Sequence, residues 1–344
     1  MNGIVFKRFK FKSLYLLYEY LEDSTLFENI KNIKNLKLNK AMLKRISYRL
    51  VLGKAITTNI EMYTIIKLNE DHIVCGGVHK SGIQIWNFKK GILIKHIDCI
   101  GASSMARLSN TQFASAINGC IDKWDAKSGS RLKTLEHYGF QHHGQQINCL
   151  LKIKNQLYSA GYARIIEIWN YSSGVCEKEL SLPEGPIMSL VRLNEKQIAC
   201  CNKMSVLIWD IIDYTLVTTI NGIDFHYFYC KVDGLTKITD NILAVSGSLV
   251  IRIYDLLKKE RYTLSNESIS YYEYNLHIQN LIRLNSRHLI GVSRGDMTVW
   301  DYQEGTIYKR ILYTFLNSVI KINEKQVVAS HKSVLEIHTF YNIA

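Results

Sequence analysis

A short phrase returns seven times along the chain and limits what it can fold into. It is clearest at Gly295-Asp296-Met297-Thr298-Val299-Trp300-Asp301, where apolar and polar residues alternate, a Trp closes the run and an acid follows. It recurs at Ile83–Asn87, Cys120–Asp125, Ile165–Asn170 and Val206–Asp210, each with Trp as its penultimate residue. A sixth copy, Val250–Asp255, carries Tyr254 instead, and a seventh, Val334–His338, ends on His. The aromatic-type positions are 86, 124, 169, 209, 254, 300 and 338, so they lie 38, 45, 40, 45, 46 and 38 residues apart. Period-two alternation reads as a half-buried strand. Recurrence at such a period marks an array of like units, each burying its apolar face on the next.

Each unit reads as four strands. A first turn repeats as Leu68-Asn69-Glu70-Asp71, Leu193-Asn194-Glu195-Lys196, Leu284-Asn285-Ser286-Arg287 and Ile322-Asn323-Glu324-Lys325. Asn and acids between apolar alternations are hairpin chemistry. Gly91, Gly129, Gly174 and Gly305 follow the Trp positions and mark the turn into a fourth strand. The seventh unit stops six residues after His338, too soon for its own fourth strand. The alternating run at 48–52, followed by Gly53, is expected to supply it, so that the two ends pair and no sheet edge stays open.

On these residues the chain resembles a WD40-repeat protein over 47–344, with Trp124-Asp125, Trp209-Asp210 and Trp300-Asp301 carrying the likeness. The resemblance implies an all-β, seven-bladed WD40-type β-propeller that binds proteins or peptides on its faces. The family often has an Asp six residues before the Trp, bonded to the Trp through a Ser or Thr and a His. Those positions here are Lys80, Asn118, Ala163, Lys203, Ser248, Arg294 and Lys332, and only His143 stands where the family's His would. The resemblance thus implies an absent or degenerate polar tetrad, with apolar packing carrying the blades.

Residues 1–46 read as a short N-terminal helical segment. Leu14, Leu17, Tyr18 and Leu21 form one apolar stripe, and Thr25 with Glu28 fits a capping box. Three short helices before such a ring resemble an F-box, although the usual starting proline is missing, and 17–21 resembles a LisH helix without its Gly. The segment is therefore either a cap on the propeller or an adaptor for a ubiquitin-ligase core. Residues 1–54 hold 12 Lys+Arg and 4 Asp+Glu, so +8 of the net +13 lies there. Such a balance suits a solvated face, an acidic partner, an anionic lipid surface or RNA. No apolar run of about 18 residues suggests a membrane span. Eight scattered cysteines without a CxxC suit a reducing compartment, cytoplasmic or nuclear.

No nucleotide-binding or nucleophile-elbow motif is present. His142-His143 has no second ligand cluster at metal spacing, and Cys200-Cys201 alternate across one strand. No cofactor, metal site or catalytic residue is expected. Three connectors between blades are long and aromatic, and their candidate protein-binding residues are Tyr138, Phe140 and His142; Phe225, His226, Tyr227 and Tyr229; and Tyr271, Tyr272 and Tyr274. Tyr brings large contact area with few rotors and a polar tip. These rings either form a partner-binding patch or plug the central channel. The expected function is a non-enzymatic protein-interaction scaffold. The alternatives are substrate recognition in a ubiquitin ligase and RNA binding, the latter disfavoured by a mildly basic propeller without Arg-Gly tracts.

Overall fold

The computed structural model describes residues 52–77, 79–117, 119–135, 146–182, 185–202, 205–221, 234–247, 250–265, 278, 280–293, 295–313 and 315–340. The helical stripe expected within 1–46 lies outside them. The chain divides into two units, 1–51 and 52–344, and the second is the ring described below.

Its strands form seven four-stranded antiparallel sheets. Strand β1 is Leu52–Thr57. Blade 1 comprises β2 (Met62–Lys67), β3 (His72–Gly77), β4 (Ile83–Asn87) and β5 (Ile92–Ile97). Blade 2 comprises β6 (Ser104–Arg107), β7 (Gln112–Ile117), β8 (Cys120–Asp125) and β9 (Arg131–Leu135). Blade 3 comprises β10 (Ile147–Ile153), β11 (Gln156–Gly161), β12 (Ile165–Asn170) and β13 (Val175–Ser181). Blade 4 comprises β14 (Ser189–Arg192), β15 (Gln197–Cys201), β16 (Val206–Asp210) and β17 (Thr215–Ile220). Blade 5 comprises β18 (Gly234–Thr239), β19 (Ile242–Ser246), β20 (Val250–Asp255) and β21 (Glu260–Ser265). Blade 6 comprises β22 (Asn280–Arg283), β23 (His288–Val292), β24 (Asp296–Asp301) and β25 (Thr306–Leu312). Blade 7 comprises β26 (Ser318–Asn323), β27 (Gln326–His331) and β28 (Val334–Thr339), completed by β1. The inner strands touch in cyclic order, with β26 returning to β2.

The repeated aromatic has a packing reason. The core is not one mass but seven apolar clusters, one in each seam between neighbouring blades. Trp124 of blade 2 lies in the seam with blade 1, Trp169 of blade 3 in the seam with blade 2, and so on to Trp300 in the seam with blade 5. Each aromatic therefore seals its blade against the one before. At about 1.5–3 kcal/mol for each large apolar side chain buried, the seams supply most of the gain that offsets chain ordering. In the last such seam His338 replaces Trp, edge-on to Tyr313 of the connector from blade 6.

The residue after the aromatic has a separate role. Asp125 Oδ1 accepts the amide of Ser128 at 2.7 Å, Asp210 Oδ1 that of Ile212 at 2.7 Å, and Asn87 Oδ1 that of Lys90 at 2.8 Å. Asn170, Asp255 and Asp301 cap the same turn in their blades. The side chain thus satisfies turn amides that would otherwise lack partners. Four residues after this cap, the turn needs a left-handed backbone. Gly91, Gly129, Gly174 and Gly305 supply it at φ 71°, 76°, 81° and 71°, whereas blades 4 and 5 place Tyr214 and Lys259 there at φ 58°. The first turn works similarly, with Asn69, Asn194, Asn285 and Asn323 accepting amides two residues on.

The polar tetrad is rearranged rather than lost. Trp124 Nε1 donates to Ser115 Oγ at 2.8 Å, and Trp169 Nε1 to Ser159 Oγ at 2.9 Å. The carboxylate that completes the second group is Glu167, two residues before Trp169 on the same strand, which accepts from Ser159 at 2.8 Å. In blade 1 the position two before Trp86 is Gln84, which accepts from the indole at 3.0 Å. Blade 6 has Gly291 where blades 2 and 3 have Ser, and the buried Trp300 Nε1 has no hydrogen-bond partner among the described residues.

Strand β1, which precedes the first blade in sequence, completes the last blade. The sequence places the closing strand at 48–52; the pairing strand is Leu52–Thr57, and 48–51 lie outside the described residues. Its register sets Leu52 opposite His338 and Thr57 opposite Val334. Gly53 lies at an irregularity in the pairing between Leu52 and Ala55, a place where Gly is favoured. Thr58 then turns the chain inward: its amide donates to Ser333 O at 2.7 Å and its hydroxyl to Ile60 O at 2.9 Å. Ile56, Ile60, Met62 and Leu335 share one buried cluster across this seam.

Candidate binding face

An antiparallel meander has two ends. In each blade the inner strand starts at the connector from the previous blade and finishes at the first turn. The connectors therefore all leave one face of the ring, and the first turns all occupy the other. The longest connectors run between β9 and β10, β17 and β18, and β21 and β22, at 136–146, 221–233 and 266–279. The others are much shorter, for example 98–103 and 313–317. All ten candidate residues, Tyr138, Phe140, His142, Phe225, His226, Tyr227, Tyr229, Tyr271, Tyr272 and Tyr274, fall in these three connectors and lie outside the described residues. What is described is their rooting: the strands on either side of each connector are ordered parts of adjacent blades.

The opposite face carries a feature that motif searching missed. The inner strands border an open cavity of about 480 Å³, lined by apolar residues of five blades, among them Ile66, Ala106, Leu151, Ile282 and Ile320, and by four basic residues. One cation per blade holds the same inner-strand position, Lys67, Arg107, Lys152, Arg192, Lys237, Arg283 and Lys321, and the first three and the last line the cavity. Each immediately precedes the buried Leu or Ile that opens the first turn, namely 68, 108, 153, 193, 238, 284 and 322. The signal is present in the sequence as the basic residue before the Leu or Ile that opens each first turn. It is visible only when all seven repeats are set in register.

The seven cations are not held alike. In four blades the turn supplies a carboxylate three residues later. Lys67 Nζ lies 2.8 Å from Glu70, Arg192 Nη2 2.5 Å from Glu195, Lys237 Nζ 2.5 Å from Asp240 and Lys321 Nζ 2.6 Å from Glu324. The hydrogen bond from Lys67 holds the Glu70 carboxyl below its ordinary range. In blades 2, 3 and 6 the matching positions are Asn110, Asn155 and Ser286. There Arg107 donates to Asn110 Oδ1 at 2.5 Å, Lys152 to Leu108 O of the preceding blade at 2.6 Å, and Arg283 to Asn285 O at 3.2 Å.

The chemistry on offer elsewhere is muted. Burial pushes the thiols of Cys99 and Cys176 up to about 11 and that of Cys200 up to about 12, and those of Cys75 and Cys149 are raised further. Raised thiols are poor nucleophiles and poor metal ligands. Among the described residues no cluster of three His, Cys, Asp or Glu is arranged to hold a metal, and no helix is long and apolar enough to cross a membrane.

No family model matches the sequence, and no curated protein does. The fold, however, is well represented among solved structures. The crystal structure of the WD40 beta propeller domain of Doa1 superposes with a TM-score of 0.69 at 11% sequence identity, over 85% of this chain and 97% of that one. Identity that low carries architecture alone. Seven seams, seven capped turns and a ring closed by its own first strand, together with that likeness, give the chain the fold of a seven-bladed WD40-type β-propeller.

Proposed function

We propose that the protein is a non-enzymatic scaffold that holds a protein or peptide partner on the connector face of its propeller. The observation that carries this reading is the rooting of three long connectors, each carrying Tyr among its aromatic residues, at one end of adjoining or nearby blades. Loops on a rigid frame are where such folds place recognition, and Tyr is enriched among residues that dominate binding energy. The turn acids read as structural, since Glu70, Glu195, Asp240 and Glu324 are taken up by their own blade's cations. The buried, raised thiols support the same view. A compartment in the cytoplasm or nucleus is consistent with free cysteines on this scale.

The test is affinity capture from the native cell with wild-type protein beside a Tyr138→Ala, Tyr227→Ala, Tyr272→Ala variant. Loss of captured partners at an unchanged melting temperature supports the scaffold. Retention of the same partners, or a large fall in melting temperature, rejects the loops as the binding patch. A finer reading, in which 1–46 docks a ubiquitin-ligase core, rests on the F-box resemblance and the basic balance of that segment. Pull-down with and without 1–46 decides it.

A further inference from the structure

The cation collar on the opposite face points to a second ligand. In four blades the collar's rule is a cation answered by a carboxylate three residues on; in blades 2, 3 and 6 the carboxylate is missing. The three cations left over, Arg107, Lys152 and Arg283, meet neutral oxygens, Lys152 also the Tyr171 ring, and no carboxylate among the described residues. Their positions are not scattered. Blades 2 and 3 are neighbours, and in a ring of seven, blade 6 lies directly across from the seam between them. The gaps therefore define a line across the channel mouth, with two cations at one end and one at the other. Beneath the middle of that line is the apolar wall of Ile66, Ala106, Leu151, Ile282 and Ile320.

We infer that the collar binds a short acidic peptide segment laid across the channel mouth. Two carboxylates meet Arg107 and Lys152, a third meets Arg283, and an aliphatic side chain between them enters the cavity. The partner supplies in trans what Glu70, Glu195, Asp240 and Glu324 supply in cis. Arg is suited to this because its planar fork matches a carboxylate, and Lys152 exchanges a neutral carbonyl for one. The apolar lining favours a peptide over a compact polyphosphate or an RNA strand, neither of which has an aliphatic group to place there. A cavity of about 480 Å³ lies within the size range of small-ligand pockets and readily takes one such side chain. The inference is independent of the aromatic connectors, which belong to the other face.

The probe is a fluorescein-labelled peptide of acidic residues flanking a central Leu, followed by anisotropy against the full-length protein. A matched peptide with Gln for every acid, an oligouridine and inorganic hexametaphosphate serve as competitors. The acidic peptide should bind best, and weaken as salt rises. The decisive variant is Asn110→Glu with Ser286→Glu, which fills two gaps as the other blades do. It should weaken peptide binding about tenfold or more, by occupying the cations and repelling the ligand, while the melting temperature holds or rises. Arg107→Gln with Lys152→Gln should weaken binding similarly, whereas Lys258→Gln on an outer turn should not. Undiminished binding by the Asn110→Glu, Ser286→Glu protein would overturn the inference. So would absence of binding by the wild type, equal affinity for the Gln peptide, or preference for the polyphosphate or RNA.

Discussion

Ile56 of the first described strand faces Leu335 of the last across an antiparallel pair, and both are buried in the cluster that joins the chain ends. The seam between blades 7 and 1 is thus held by side chains far apart in sequence. Ile56→Ala removes a buried side chain from it and should cost about 2–5 kcal/mol. Because every seam depends on its neighbours, the loss should appear as a lower midpoint of one cooperative transition. Urea unfolding followed by both tryptophan fluorescence and far-ultraviolet dichroism checks this. Two separated transitions would show that the closure does not couple the blades.

Glu336 on β28 is the acid most shaped by its surroundings. Burial alone would raise its carboxyl, but hydrogen bonds from His331 at 3.1 Å and His338 at 3.3 Å hold it far below the ordinary carboxylate range. A folded value below the unfolded one gives stability that is fully present above the ordinary carboxylate pKa and is lost as pH falls below it. Acid should therefore weaken the ring. Glu336→Gln should cost about 1–3 kcal/mol at neutral pH and flatten the dependence of melting temperature on pH below 5. Equal acid slopes in the two proteins would remove Glu336 as the cause.

Lys259 and Gly174 occupy the same turn position in blades 5 and 3, at φ 58° and 81°. A left-handed backbone strains a residue with a side chain by about 1–2 kcal/mol, partly offset by glycine's greater freedom when unfolded. Lys259 is exposed, so Lys259→Gly loses little packing and should stabilise by about 0.5–1 kcal/mol. Gly174→Ala should destabilise through that backbone strain, the neighbouring Lys133 side chain being free to swing clear of the new Cβ. Chemical denaturation of the two variants should give shifts of opposite sign.

Ser159 accepts from Trp169 and donates to Glu167, all within the blade 3 sheet. Ser159→Ala leaves both partners short and should cost about 1–3 kcal/mol. Gly291→Ser makes the reverse change in blade 6, bringing an acceptor to the indole of Trp300. The new Cβ would lie 3.3 Å from Ile278 Cγ2, a contact the methyl can relieve by a small movement. A gain of about 0.5–1 kcal/mol is expected, read as a rise in melting temperature. A fall would mean that crowding at Ile278 outweighs the new hydrogen bond.

Much of the ring is local chemistry repeated, and local chemistry is legible in a sequence. The alternation before Trp86 or Trp300 sets a strand, Asp125 or Asn170 caps the turn that follows, and Gly129 or Gly305 supplies its left-handed residue. Counting those phrases counts the blades. The closing pairing runs on through Thr57 because an irregularity lets Gly53 lie within the strand, which alternation alone does not reveal. The aromatic connectors were legible as composition only, and their residues lie outside the described parts of the chain.

The collar marks the division most sharply. Lys67, Arg107, Lys152, Arg192, Lys237, Arg283 and Lys321 are ordinary basic residues some forty positions apart in the chain. The sequence alone determines that each lies at or near the end of a strand, beside an apolar residue and ahead of a turn. Only the closed ring makes them neighbours around one opening, because side chains on separate repeats meet through space and not through local backbone geometry. The unanswered cations of blades 2, 3 and 6 then become a single site, which no stretch of sequence contains.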